Sequence, residues 1–446
     1  MTSSPPILQS TPLSGNPFSP DGAAAKVAEL SVDAVLAPYV WVFMLAFLVS
    51  VVFTPILRQI AIYYEVVDRP DPRKMHREPV AYLGGVAVFL GWMVGVVVSQ
   101  FLFPHGEQSG ATAIRMPIWI VLAATLIVLL GLWDDLRSVR PRMKIYAQIL
   151  AAVILLAAGI GDDITNIFVN NIATRLDIRI GVPLGPDAIW WATKVSSWFF
   201  AIGLVVFCCN ATNLMDGLDG LASGVTAIIA LGYVALAVYI AQFVRVGDPA
   251  QINTDAVRIV LALSLLGGVL GFIPHNFNPA SIFMGDTGSL FLGFMCATLI
   301  LMLGEVDGRW LLASLVMFSL PVLDTALAFT RRWLKGRSIF APDKLHFHHQ
   351  LVARGLSVKQ AVLIEYALAV FFVLSGFSLI FIRTRFAVAF YLVLFAFIVV
   401  AAFKIGMVHE RLKPEDWESA DTRHDDDVDD ADADEEGEEK SQEKTA

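Results

Sequence analysis

Asn210-Ala-Thr-Asn213-Leu-Met-Asp216-Gly-Leu-Asp219-Gly-Leu-Ala222 places two amides and two carboxylates within thirteen residues. One apolar run, 190–209, leads into this stretch and another, 221–243, leads out. Unpaired polar groups beside hydrocarbon cost on the order of a kcal/mol or more each, so this concentration calls for partners or a ligand. Gly217 and Gly220 interrupt helix and let backbone come close to a ligand. Asp216 and Asp219, three apart, would share one face of any helical turn. A plain polar turn between two membrane helices is the simpler alternative, and it gives no reason for paired carboxylates beside paired amides.

The rest of the chain sets that stretch in a membrane. Of 446 residues, 56% are apolar and 16% charged, with a mean hydropathy of +0.65, whereas soluble proteins carry about 25% charged residues. Runs long enough to span a bilayer, or nearly so, recur near 34–57, 80–103, 116–133, 145–161, 189–209, 221–243, 257–274, 289–304, 310–330, 360–382 and 386–406. The expectation is an all-α polytopic membrane protein of about eleven transmembrane helices, one domain over 34–406. Residues 1–33, rich in Ser, Pro and Gly, lack the charged-then-apolar order of a cleaved signal and are expected to be a disordered extension. The formal charge of −9 misleads, because 407–446 holds 17 acidic and 5 basic residues, a net of −12, and leaves +3 for the membrane body. That segment is expected to be a solvated, disordered tail. Cys208, Cys209 and Cys296 offer neither a disulfide framework nor zinc spacing.

Eleven spans put the termini on opposite sides. Loops 58–77, 137–144 and 331–359 hold sixteen Lys and Arg, against nine in the loops of the other face. The richer face and the C-terminus are therefore expected in the cytoplasm, with the protein in the plasma (inner) membrane. Every polar cluster then falls on that one face: 68–85, 133–144, 210–220, 275–289 and 331–354.

Asp134-Asp135 ends the third run, followed by Arg137, Arg140, Arg142 and Lys144. Adjacent carboxylates repel unless a cation lies between them, and Mg²⁺ or Mn²⁺ commonly joins one or two carboxylates to phosphates; a solvated acidic helix end offset by the basic residues is the alternative. Phe283-Met-Gly-Asp286-Thr-Gly-Ser289 follows His275-Asn-Phe-Asn278-Pro-Ala280. With a helix beginning at Ser289, free N–H groups there would suit a phosphate, unless Asp286 merely caps. His346-Phe-His348-His349 carries three of the eight histidines; without cysteines, and with carboxylates elsewhere, it suits phosphate oxygens better than zinc. Arg73-Lys74-Met-His76-Arg77 concentrates positive charge, whereas Arg58 and Arg69 are read as membrane-anchoring charge. Asp324 lies inside a run beside Pro321, a functional candidate unless hydrogen bonds across helices explain it. Glu365 and Lys194 are read as residues near span ends. Carboxylates for a divalent ion, cations for phosphates and a lipid setting together suit phosphoryl transfer to a lipid.

The ordered set Asp134-Asp135, Asn210-x-x-Asn213-x-x-Asp216-Gly-x-Asp219-Gly-Leu-Ala, Asn278-Pro-Ala-x-x-Phe283-Met-Gly-Asp286-x-Gly-Ser and His346-x-His348-His349 resembles the polyprenyl-phosphate N-acetylhexosamine-1-phosphate transferases. The likeness runs from about Asp68 to Leu356. It implies a bundle of ten or eleven helices and a cytoplasmic site dependent on Mg²⁺, with Mn²⁺ as a substitute. The donor it implies is a UDP-N-acetylhexosamine and the acceptor polyprenyl phosphate, with UMP leaving. By the same resemblance Asp134, Asp135 and Asp286 are the catalytic residues, Asp286 and Asn213 hold the metal, and Asp134 and Asp135 contact metal and acceptor phosphate. Asp219 and Phe283 hold the uridine, and Asn210 and Asp216 contact substrate. Lys74, His76, His346, His348 and His349 meet phosphates. Which of Asp134 and Asp135 is base, nucleophile or ligand stays open, and one-step transfer fits best, because a phosphate monoester is already largely ionised at neutral pH.

The resemblance calls for no nucleic acid and leaves room for a homodimer. The histidine loop ends in Gln350-Leu351 rather than Phe-Glu, and the first loop reads Pro79-Val-Ala-Tyr-Leu-Gly84-Gly85. Both resemble the branch that uses UDP-N-acetylglucosamine and starts teichoic acid, O-antigen, enterobacterial common antigen or arabinogalactan synthesis, rather than the muramoyl-pentapeptide branch, which is the alternative. A secondary transporter would need midplane sites and related halves, and the chain shows neither. Orientation is testable by single-cysteine labelling of intact cells in a background without the native cysteines. Label at position 170 and none at 350 is expected; the reverse would overturn the topology.

Overall fold

The computed structural model describes residues 35–68, 79–102, 117–180, 185–244, 249–334, 346–382, 386, 388–393, 395–396 and 400. The expected extension at 1–33, the tail at 407–446, Lys74 and His76 lie outside the described residues. The first hydrophobic run becomes α1, Val40–Tyr63. Two-residue strands follow, β1 (Val67–Asp68) and β2 (Val80–Ala81), antiparallel with Val67 opposite Ala81. They are the small exception to an otherwise helical architecture. Then come α2 (Gly84–Leu102), α3 (Ile118–Leu136), α4 (Pro141–Ala157) and α5 (Asn166–Ile180). After them run α6 (Pro186–Met215) and α7 (Leu221–Tyr239), the latter extended by a π-helical turn to Val244. The C-terminal half holds α8 (Pro249–Asn276), α9 (Gly285–Gly304), α10 (Gly308–Met317), α11 (Ser319–Leu334), α12 (Phe347–Val352) and α13 (Val358–Leu379).

Local chemistry sets several of these boundaries. Proline opens α4 and α6, where a missing N–H costs nothing. Ser357 starts α13 through a reciprocal box, its Oγ accepting from the Gln360 N–H while its own N–H donates to Gln360 Oε1.

The bundle is built around α9. After Asp286 this helix carries no charge, and every residue from Thr287 to Gly304 is buried. A helix apolar on all sides belongs inside protein, and α9 packs on α2, α3, α6, α7, α8 and α10. Lipid provides no hydrophobic drive between helices, so close packing must hold them. Small residues allow that. A Cβ on Gly131 of α3 would lie 2.5 Å from Thr287 Cα, and one on Gly85 of α2 would strike the Gly288 backbone.

Eight described helices are long and apolar enough to cross a membrane, or nine if α10 and α11, bent by 68°, form one span. The chain is thus an all-α polytopic membrane protein. Of the eleven expected spans, that at 145–161 appears as the 17-residue α4, and that at 386–406 is described only in part.

Gly293 of α9 faces α6, where a Cβ would lie 2.6 Å from Cys209 Cα, whereas Gly203 of α6 has nothing within 4 Å. Gly293→Ala should lower the thermal midpoint in detergent, with overpacking costing about 1–3 kcal/mol. Gly203→Ala should leave it unchanged or raise it, since alanine favours helix by about 1 kcal/mol. Equal effects would contradict the α6–α9 packing.

Candidate active site

Asp134 and Asp135 close α3, and neighbours on a helix point about 100° apart. Asp135 faces α9. Its Oδ1 accepts from the Asp286 N–H at 2.8 Å, and its Oδ2 from the Thr287 N–H at 3.0 Å and the Thr287 hydroxyl at 2.5 Å. The helix begins at Gly285 rather than at Ser289, and Asp286 lies in its first turn. The terminal amides expected to await a phosphate are held by the chain's own carboxylate, the electrostatics of an anion at a helix N-terminus being the same. Gly285 has φ +68°, and a Cβ there would lie 2.6 Å from Asp135 Oδ2, so glycine is required for conformation and for space.

Asp134 turns toward α4. Its Oδ1 accepts from the Val139 N–H at 2.7 Å, and its Oδ2 lies 2.6 Å from Lys144 Nζ. Lys144, in the first turn of α4, also reaches Asp286 Oδ2 at 2.5 Å. Burial opposes its charge, but the two carboxylates more than offset that and hold it above the ordinary lysine value. Asn213 of α6 donates from Nδ2 to Asp286 Oδ1 and to Ser289 Oγ, both at 2.9 Å. Asn210, one turn earlier, donates to Gln148 Oε1 at 2.8 Å and the Val206 carbonyl at 2.7 Å. The structure thus brings Asp134 and Asp286 together on Lys144, ties Asn213 to Asp286, sets Asp135 as a bracket between α3 and α9, and takes Asn210 into the helix packing.

Asp216 and Asp219 do not share a helical face. Asp216 caps α6, and the chain turns through Gly220 at φ +78° before α7. Asp219 Oδ2 accepts from Asn278 Nδ2 at 3.0 Å and the Ala280 N–H at 2.9 Å. Asn276 Oδ1 ties the same turn through the Gly220 N–H and Ser223 Oγ. Phe283 is held in line with the β-pair: its N–H donates to the Ala81 carbonyl at 2.8 Å, and its ring lies 6.1 Å from that of Tyr82. Arg58, read as a membrane anchor, donates from Nε to the Ser281 carbonyl at 3.0 Å and supports this stretch. The Asp216 carboxylate has no hydrogen-bond partner among the described residues.

The three histidines divide. His346 Nδ1 lies 2.8 Å from Asp324 Oδ2, and Asp324 Oδ1 accepts from the Phe347 N–H at 2.7 Å. Cross-helix bonding therefore explains Asp324. His348, stacked parallel to His346 at 5.6 Å, has both ring nitrogens buried without a hydrogen-bond partner, and its ring lies where a Cβ on Gly217 would be. Burial lowers its pKa to about 3, so it is a neutral imidazole with one donor and one acceptor. His349 packs 4.3 Å from His348. Glu365, expected near a span end, lies two turns into α13 and is 2% exposed, while Lys194 pairs with Asp162 at 2.5 Å.

Among the described residues no three His, Cys, Asp or Glu side chains are grouped to hold a metal by themselves. Mg²⁺ usually asks for less, one or two carboxylates with phosphates and water completing its shell. Asp286, oriented by the Asn213 amide, and the unpartnered Asp216 offer that number of carboxylates. The sequence treated Lys144 only as offsetting charge and missed Gln148. A lone amide in the run at 145–161 was the available signal for Gln148; nothing marked Lys144 out from its basic neighbours.

Burial first, then the charges of Asp286, Asp135 and Asp219, pushes the Asp216 carboxyl up to about 8. An acid raised above its unfolded value near 3.9 contributes stability that is full below pH 4 and lost as pH rises through 8. In metal-free detergent solution, Asp216→Asn should therefore gain thermal stability over the parent at pH 8.5 relative to pH 5.5. Parallel pH slopes would contradict an uncompensated Asp216.

The model of glycosyl transferase family 4 matches residues 117–304, which include every carboxylate of this cluster. The chain is 32% identical over 374 residues to the probable undecaprenyl-phosphate N-acetylglucosaminyl 1-phosphate transferase of Bacillus subtilis, covering 83% of this chain and 93% of the relative. It is 34% identical over 325 residues to the decaprenyl-phosphate N-acetylglucosaminephosphotransferase of Mycolicibacterium smegmatis, 70% of this chain and 74% of that one. The phospho-N-acetylmuramoyl-pentapeptide-transferase of Desulforudis audaxviator is 32% identical over 334 residues, 69% and 88% of the two chains. With these relatives spanning most of its length, the chain belongs to the polyprenyl-phosphate N-acetylhexosamine-1-phosphate transferases of glycosyl transferase family 4.

Proposed function

We propose that this chain transfers N-acetylglucosamine 1-phosphate from UDP-N-acetylglucosamine to a polyprenyl phosphate, giving polyprenyl-diphosphate-N-acetylglucosamine and UMP. The observation that carries this reading is the meeting of Asp134 and Asp286, from two helix ends, on Lys144, with Asn213 from a third helix end donating to the other oxygen of Asp286. The names of the Bacillus and Mycolicibacterium relatives support the substrate pair. The site is placed at the cytoplasmic face of the plasma membrane, with eleven spans and the C-terminus inside, on the charge asymmetry of the loops.

The acceptor's second phosphate pKa is about 6, so it enters largely as a dianion and needs no base. Its oxygen attacks the sugar-bound phosphorus of the donor, forming the new P–O–P link while the bond to the bridging oxygen breaks and that oxygen leaves with UMP. Asp286 and Asp216 would hold Mg²⁺, which neutralises diphosphate charge and polarises the phosphoryl group when bound. Asp219 and Phe283 border the proposed uridine site. His348, neutral and unpartnered, donates a hydrogen bond to a phosphate oxygen rather than a charge.

The test is competition between UDP-N-acetylglucosamine and UDP-N-acetylmuramoyl-pentapeptide for limiting polyprenyl phosphate, with Mg²⁺ present and the lipid products separated by mass. A site shaped for the smaller sugar leaves the peptide's polar groups unpaired. N-acetylglucosamine is expected to win by at least roughly a hundredfold in kcat/KM, about 2.7 kcal/mol. A dominant pentapeptide product would move the chain to the other branch. No UMP from any UDP-amino-sugar would overturn the reaction itself.

A further inference from the structure

Lys144 lies between two carboxylates of the candidate site. Its ammonium sits 2.6 Å from Asp134 Oδ2 and 2.5 Å from Asp286 Oδ2, two carboxylates carried by different helices. The second oxygen of Asp286 takes the Asn213 amide. The cluster thus holds more carboxylate than one ammonium neutralises. Without Lys144, Asp134 and Asp286 would face each other with no cation between them, and like charges so placed destabilise a half-buried site.

We propose that Lys144 is a placeholder for the divalent cation. It would compete with the metal for Asp286 and yield that carboxylate when metal and diphosphate arrive. This rests on the reading given under Proposed function. An ammonium and a divalent ion cannot share one carboxylate oxygen, because at about 4 Å even two unit positive charges repel by about 4 kcal/mol near a protein surface. Lysine suits such an exchange. Its charge is a compact point on a flexible four-carbon stem, and releasing Asp286 need not release Asp134. The arriving diphosphate supplies the negative charge that draws the ammonium off Asp286, so metal and donor are bound together. A permanent structural bridge between α3 and α9, with metal bound apart from it, makes the opposite prediction for metal affinity.

Mn²⁺ binding to the full-length protein in detergent, with neither nucleotide nor lipid present, separates the two. The readout is loss of the free-ion electron paramagnetic resonance signal. Lys144→Met should bind Mn²⁺ at least tenfold more tightly than the parent, and Lys144→Arg, which keeps the charge, should stay within about threefold of it. Lys144→Gln serves if the Met variant fails to fold. Adding Asp286→Asn to the neutral variant should remove the gain. Equal or weaker binding by folded neutral variants, or no binding by any of the proteins, overturns the proposal. Turnover of UDP-N-acetylglucosamine by the parent is measured alongside. If turnover fails while the Mn²⁺ pattern holds, the proposed reaction falls and the placeholder stands; the reverse result sinks the placeholder alone.

Discussion

The grip of Asp135 on the first turn of α9 is the constraint on which the site depends. A helix buried from Thr287 to Gly304 cannot leave its terminal N–H groups to lipid. Asp135 takes two of them and the Thr287 hydroxyl besides. That bond fixes the end of α3 against the start of α9, and the absence of side chains at Gly131 and Gly285 lets the backbones come near enough. Because Asp134 adjoins Asp135, and Asp286 is itself a donor in the grip, the same contact brings the two carboxylates of the candidate site to one ammonium.

The other elements are hung on this joint by bonds between loops. Asn213 brings α6 to Asp286, Asp219 ties the following turn to Asn278 and Ala280, and Ala81 binds the Phe283 stretch to the small β-pair. On the far side Asp324 caps α12 from a different helix and turns His346 inward. That leaves His348 over Gly217, at the turn that carries Asp216. Charge-assisted hydrogen bonds of this kind are about twice as strong as neutral ones, which suits loops that must hold their shape where bilayer ends and water begins.

The helices were legible because a membrane leaves the backbone little choice. A long apolar run must be a helix there, and hydropathy alone placed α1, α2, α3, α6, α7, α8, α9 and α13. Hydropathy gives depth and length but not the direction in which a side chain points. Glu365 was therefore read as an interfacial carboxylate although it faces the interior of the bundle. Asp134 and Asp135 were read as a pair although they turn to different helices. The chemistry of the loops was visible in residue types and order. The pairings were not, because each joins residues scores of positions apart, as Asp135 with Asp286 and Asp219 with Asn278. The 145–161 run shows the same limit: its helix starts earlier, at Pro141, and so carries Lys144 inside its first turn.

The chain itself supplies charges and acceptors at positions where a ligand's groups would serve the same purpose. Asp135 is the anion at the α9 terminus, Lys144 the cation between carboxylates, and Asp324 the acceptor for His346. Buried polar groups in a folded protein nearly always find partners, so those left over carry information. The two ring nitrogens of His348 are such groups, and Gly217 sets them beside the half-buried, unpartnered Asp216 carboxylate. The two differ in what they ask for. Asp216, pushed toward its neutral form by burial and by other carboxylates, wants positive charge; neutral His348 wants a hydrogen-bond acceptor. A cation bound to phosphate oxygens supplies both at once, and a proton alone would satisfy only the first.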